Sequence, residues 1–140
     1  MTLQRVGPLL SGAWSRLDDE LGRESRGEFL LDTGAFGAMI DLEVAQSLEL
    51  SIIGTREVHG IHGYGRLQEF RGRITLPASD PADARIIFTS VIDCVGVPSL
   101  REKNREHGVE IVGILGRIFL SRAVLQIDGE SGRVDVKMRD

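Results

Sequence analysis

The sequence predicts an all-β fold in a single domain that covers residues 1–140. A chain of this length buries a full hydrophobic core without disulfides or a structural metal. Its 17 glycines and its low aromatic content of 5% favour many turns and short strands. Its longest apolar runs, such as Ile111 to Leu115, have the length of strands.

Composition argues against several partners and environments. The net charge of -4 gives no basic face of the kind that nucleic-acid-binding proteins carry. No apolar run approaches the roughly 18 residues that cross a bilayer. Cys94 is the only cysteine, and the N-terminus lacks the basic and apolar regions of a secretory signal. We therefore expect a cytoplasmic protein that binds neither nucleic acid nor membrane.

The first half of the chain alternates apolar and polar segments. Val6 to Leu10 contains a proline and predicts an edge strand. Residues 15–27 carry many charges and predict an exposed loop or a loosely held hairpin. Glu28 to Leu31 predicts a strand that leads into Asp32, and Asp41 to Leu50 predicts a helix capped by its aspartate.

The second half predicts mainly strands. A long hairpin extends from Arg56 to Leu76 with a flexible, glycine-rich tip, and Phe70, Ile74 and Leu76 share one of its faces. The remaining chain predicts a strand at Ala84–Val95, a polar connection at Val97–Gly108 and a buried strand at Ile111–Leu115. A short helical turn at Arg117–Ser121 and a closing hairpin of Val124–Asp128 and Arg133–Val136 follow.

Three ordered segments carry the functional signal. An apolar strand enters Asp32-Thr33-Gly34-Ala35, a glycine-punctuated hairpin spans residues 58–65, and Ile114-Leu115-Gly116-Arg117 lies near the C-terminus. One Asp-Thr-Gly triplet is weak on its own, whereas the ordered set is much more specific. The set resembles the active-site segment, the flap and the C-terminal glycine element of retropepsin-like aspartic proteases, over about residues 28–128.

This resemblance implies an acid-protease-like closed β-barrel with a helix after the active-site loop and a short C-terminal helix. It implies that Asp32 is catalytic, that the Thr33 hydroxyl bonds across a dimer axis, and that Gly34 allows close approach to substrate. It implies peptide or protein substrates, and neither cofactor nor metal. The substrate-binding residues that it implies are Gly34, Ala35, Phe36, Ile61, His62 and Gly63.

The chemistry explains why two carboxylates are needed. Hydrolysis of an amide without a metal or a covalent nucleophile requires one carboxylate to activate water and another to protonate the oxyanion or the amine. Two neighbouring carboxyls share one proton and titrate as a coupled pair. Because the chain has one Asp-Thr-Gly, the resemblance implies a homodimer in which each Asp32 faces its own image.

The sequence departs from the family at Phe36 and at Ile118, where cellular relatives commonly have an aspartate one residue after the arginine. Phe36 follows the Asp-Thr-Gly-Ala where relatives often carry an acidic or small polar residue, and we expect it to narrow or fill a substrate subsite. Arg117 consequently lacks the acidic partner that the arginine has in retroviral relatives.

Other functional interpretations remain open for the active-site segment. Asp32 alone also fits an Asx turn that shapes a strand-to-helix corner. The same fold could bind peptide or assemble a dimer without cutting, because fold does not imply function. A third interpretation is a peptidase whose main substrate is its own precursor, nicked in the loop at residues 15–27.

The remaining chemistry-bearing residues favour structural roles. His59 and His62 lack partners at metal-ligand spacing, so we expect surface histidines, and His107 is expected in a loop. Cys94 is expected to be a buried small hydrophobe. The glycine spacing of the hairpin does not fit a dinucleotide fingerprint, and the arginines at positions 66, 71 and 73 lie among glutamates on a solvated face.

Overall fold

The computed structural model describes residues 7–18, 22–60, 63–77 and 87–139. Within these ranges the protein is mostly β. The strands are β1 (Leu9–Ser15), β2 (Glu24–Leu31), β3 (Ala38–Asp41), β4 (Ser51–Gly60), β5 (Gly63–Pro77), β6 (Ile87–Val97), β7 (Ile111–Leu115), β8 (Ala123–Asp128) and β9 (Arg133–Met138). The helices are α1 (Leu42–Ser47), α2 (Leu100–Asn104), which continues into a 3-10 turn (Arg105–His107), and α3 (Arg117–Leu120).

Six strands close into a barrel. Their order is β1, β2, β7, β3, β6 and β5, and β5 returns to β1 through three residue pairs that begin at Ala13 and Thr75. Strand β4 pairs with β5 outside this ring, and β8 and β9 form a separate two-stranded sheet. The prediction of a closed β-barrel is thus confirmed, in a protein that is mostly β.

Strand β7 lies beside the strand that leads into Asp32. It lies between β2 and β3, parallel to β2 and antiparallel to β3. Leu31 is therefore opposite Leu115, and Met39 is opposite Ile114. Because β2 and β7 are parallel, both end at the same edge of the sheet, where Asp32 and Gly116 follow them.

The core is organised around Trp14, which is fully buried and packs against Phe29 with ring centroids 5.4 Å apart. The β2–β7 register shifts between Glu28 and Phe29, and this shift passes over Val112. Trp14 Nε1 donates a hydrogen bond of 3.0 Å to the Val112 carbonyl. The indole thus bonds a carbonyl at the irregular point of the ladder, where Val112 has no residue opposite it in β2.

Replacing Trp14 by Phe should test this arrangement. The variant keeps an aromatic ring against Phe29 but removes the only donor that the indole offers to Val112. Losing a partner of a buried carbonyl costs about 1–3 kcal/mol, so we expect the free energy of unfolding to fall by about 2 kcal/mol. Urea unfolding measures this value, and an unchanged midpoint would show that the bond contributes nothing.

Several predicted elements are confirmed. The Asp41 side chain caps α1 by accepting a hydrogen bond of 3.1 Å from Val44 N. Residues Phe70, Ile74 and Leu76 are all buried on one face of β5. The strands at Ile87–Val97 and Ile111–Leu115, the short helix after Gly116 and the C-terminal hairpin also agree with the prediction within a few residues. Residues 84–86 lie outside the described ranges.

Two predictions are wrong, and a third is confirmed in part. The first strand begins at Leu9 and is paired on both sides, so it is not the predicted edge strand at Val6 to Leu10; residues 1–6 lie outside the described part of the chain. Of the predicted loop or loosely held hairpin at residues 15–27, Ser15 and residues 24–27 belong to the β1–β2 hairpin, and the charged side chains of residues 24–27 are exposed as in a regular strand. The connection at Val97 to Gly108 contains α2, whose start is held when Arg101 N donates to Asp41 Oδ1 at 2.9 Å.

None of the helices in the described ranges has the length and the apolar character that crossing a membrane requires.

Candidate active site

Asp32 lies at the end of β2 in a tightly bonded loop. Its backbone N donates to Leu115 O at 3.0 Å, and its carbonyl accepts from Ala35 N at 3.2 Å. Its Oδ1 accepts a hydrogen bond of 2.8 Å from Gly34 N. Within the described ranges this is the only hydrogen bond to the Asp32 carboxylate, which leaves Oδ2 without a bond there. The side chain is half-buried, while Thr33 and Gly34 are exposed.

The C-terminal glycine element supports this loop from the other side. Arg117 N donates to Ala35 O at 2.9 Å, and Ile118 N donates to Phe36 O at 3.0 Å. Gly116 is buried between them, and a methyl group placed on it would lie 2.5 Å from Gly37 O and 2.6 Å from Ala35 O. The two motifs that are far apart in sequence therefore form one backbone-bonded unit.

Phe36 and Arg117 replace the acid–arginine pair of the resemblance with an aromatic contact. The Arg117 guanidinium lies over the Phe36 ring, 5.9 Å from its centroid. Such a contact stabilises a cation without an acidic partner. Phe36 remains 63% exposed and its neighbour Ile118 54% exposed, so both present apolar surface beside Asp32. Arg117 thus has a local partner, which is an aromatic ring and not a carboxylate.

The register of the β4–β5 hairpin shifts between Ile52 and Gly54, and from Gly54 the strands are paired residue by residue to the tip, where Gly60 is opposite Gly63. The predicted substrate-binding residues Ile61 and His62 lie outside the described ranges, and Gly63 begins β5. The middle of β4 reaches the Asp32 loop through Arg56, because a methyl group on Gly37 would lie 3.5 Å from Arg56 Nη1. Arg56 Nη2 is bound to Glu69 Oε1 at 2.8 Å.

The other chemistry-bearing residues take structural positions. Cys94 is buried, and desolvation raises the pKa of its thiol to about 12, so it stays protonated. This confirms the prediction of a buried small hydrophobe. His59 lies on β4 opposite Tyr64, whereas His107 lies in a 3-10 turn instead of the predicted loop. No group of metal-ligating residues is found within the described parts of the chain.

The arginines of the hairpin are paired on the surface, as predicted for a solvated face. Arg66 bonds Glu57 at 3.2 Å, and Arg71 bonds Asp93 at 2.8 Å. The bond to Asp93 is also the main cause that raises the pKa of Arg71. The cross-strand register of β4, β5 and β6 creates these pairs, since Glu57 is opposite Arg66 and Arg71 is opposite Asp93.

Sequence reasoning missed two residues that the fold brings near the site. Arg56 of β4 lies close to Gly37 in the Asp32 loop, and Arg122 follows α3 at the edge of a cavity beside the same loop. Neither belongs to a motif, and both depend on long-range strand pairing. Their basic character was the only signal in the sequence.

No family model and no curated protein sequence matches this chain. The fold and the site define a mostly β protein with a closed six-stranded barrel and an aspartate loop at the shared end of two parallel strands.

Proposed function

We propose that the chain is a retropepsin-like aspartic endopeptidase that acts as a homodimer. The observation that carries the proposal is the backbone unit formed by the Asp32 loop and the Gly116 segment, which holds a carboxylate at the end of β2 beside exposed Thr33 and Gly34. A residue that only shaped a corner would need the Gly34 hydrogen bond but not an exposed neighbouring backbone. Peptide or protein substrates and a second copy of the chain are the proposed partners.

The chemistry uses one ionised and one protonated Asp32, one from each subunit. The ionised carboxylate accepts a proton from water while the water oxygen attacks the peptide carbonyl carbon, and the protonated carboxyl gives its proton to the carbonyl oxygen. The resulting tetrahedral diol then loses the amine as the C–N bond breaks. The leaving nitrogen takes a proton from one carboxyl, and a diol hydroxyl returns a proton to the pair.

The mechanism needs two carboxyls, and each chain supplies one Asp32, so a dimer is required. Among the described residues, only Gly34 N donates a hydrogen bond to the Asp32 carboxylate. A two-fold axis beside Thr33 and Gly34 pairs each carboxylate with its copy. Two carboxyls at hydrogen-bond distance share one proton, which is the protonation state that the mechanism needs.

Exposed apolar side chains beside the loop support a binding role for this surface. Phe36 and Ile118 are adjacent, since Ile118 N donates to Phe36 O, and both are more than half exposed. Exposed apolar groups that cluster at one site mark an interaction surface. An extended peptide at Gly34 would place apolar side chains against them.

Cleavage of a diverse peptide pool between about pH 4 and pH 7 tests the proposal. Wild-type protein should cleave, with a bell-shaped pH dependence from the coupled pair, and Asp32→Asn should not, because an amide neither shares the proton nor accepts one from water. A statine-type transition-state mimic should block the wild-type activity. Equal background cleavage by both proteins would instead support a non-catalytic binding or dimerisation module.

A further inference from the structure

A cavity of about 330 Å³ opens beside the Asp32 loop. Gly37 and Ala38, which directly follow the loop, form one wall, and β6 and α3 form the others. Arg56 from the middle of β4 also lines it. The cavity therefore lies where the proposed peptide-binding loop meets the hairpin, and its volume, at the lower end of the range for ligand sites, has room for one substrate side chain.

The floor of this cavity is apolar. Phe88 and Phe119 meet edge to face with ring centroids 5.8 Å apart, and Phe119 is buried. Half-buried Ile92 and Ala38 complete the floor. Such a surface binds methylene groups.

The rim of the cavity is basic. Arg56 uses Nη2 for Glu69, while its Nη1 faces Gly37. Asp93 also lines the cavity, but its charge is compensated by Arg71 at 2.8 Å. The Arg122 guanidinium makes no ion pair within the described ranges, so it supplies the uncompensated positive charge. Together with their ion-pair partners, the charged groups at the rim are three arginines and two carboxylates: Arg56, Arg71, Arg122, Glu69 and Asp93.

We propose that this cavity is a specificity subsite for an acidic substrate side chain, preferably glutamate. The glutamate methylenes lie on Phe119 and its neighbours, and the carboxylate binds Arg122 and Nη1 of Arg56. A lysine at this position would meet the uncompensated arginine and is disfavoured. The inference rests on the proposed peptidase function, since it assigns a substrate preference to the same site.

The kinetic test uses peptides that differ only by Glu, Gln or Lys, placed in turn at each position around a cleaved bond. At one position kcat/KM should be about tenfold higher for Glu than for Gln, because the rim is partly exposed and a charge-assisted bond there is weakened by solvent. Arg122→Gln should reduce this ratio to about one, and Arg122→Lys should restore part of it. Arg105→Gln makes the same charge change away from the cavity and should leave the ratio unchanged.

A binding test separates this inference from the peptidase proposal. The same peptides are titrated into Asp32→Asn protein, with and without Arg122→Gln, while the amide signals of Gly37, Ala38 and Ile118 are followed by NMR. Tighter, Arg122-dependent binding of Glu peptides supports the subsite even if the wild type cleaves nothing. Cleavage or binding with equal preference for Glu and Gln at every position, or no binding of any peptide, overturns it.

Discussion

Mixing wild-type protein with an excess of Asp32→Asn subunits should suppress peptide cleavage far more than dilution does. The variant subunit should still form dimers, because Asn keeps the shape of Asp32 and its side-chain oxygen still accepts from Gly34 N. A mixed dimer holds one carboxylate and cannot provide both the acid and the base. The variant therefore removes wild-type subunits from active pairs.

The size of the effect follows from random pairing. In about ninefold excess of the variant, wild-type pairs are about one-hundredth of all dimers, so the rate per wild-type subunit falls about tenfold. Subunit exchange must be complete before the assay, which pre-incubation at several times establishes. The double variant Thr33→Ala, Asp32→Asn serves as a comparison. It lacks the proposed hydroxyl bond across the dimer axis, so it should form fewer mixed dimers and inhibit wild-type cleavage less. A rate that stays proportional to wild-type protein at every mixing ratio would show that single chains act alone.

Local patterns predicted the parts of the fold that local physics determines. The apolar run at Ile111 to Leu115 forms β7, whose residues are buried or half-buried on both faces of the strand, and such strands carry continuous apolar sequence. Asp41 as a helix cap was predictable from one residue and its following helix. The order of the three motifs predicted that the Asp32 and Gly116 segments belong to one site, and their backbone contact agrees with this.

Long-range pairing determined what the sequence did not predict. Strand β1 looked like an edge because Pro8 lacks a donor, but Pro8 precedes the strand and uses its carbonyl to accept from Leu31 N at 3.0 Å. Helix α2 has no buried residue and hence no apolar period, and a bond from Arg101 N to Asp41 holds its start. The basic cavity rim joins Arg56 and Arg122 from distant segments, a meeting that no local pattern encodes.

Replacing Gly116 by Ala should disrupt the site more than any other single methyl group added to the described chain. The new methyl would lie 2.5 Å from Gly37 O and 2.6 Å from Ala35 O, and both are backbone atoms that cannot rotate away. The φ angle of Gly116 is -95°, which alanine adopts freely, so the effect is steric and not conformational. Relief of the clash must separate α3 from the Asp32 loop and break the bonds from Arg117 N and Ile118 N.

Overpacking of this kind costs about 3 kcal/mol in the free energy of unfolding, which urea denaturation measures. We also expect loss of peptide cleavage by the fraction of protein that remains folded, since the loop that carries Asp32 is displaced. Gly129→Ala is the matched control, because nothing lies within 4 Å of the added methyl, and it should change stability by less than about 0.5 kcal/mol. If Gly116→Ala unfolds and cleaves like this control, then the close contact between the two motifs does not hold the site together. If it is destabilised but fully active, then the Gly116 segment supports the barrel and does not position Asp32.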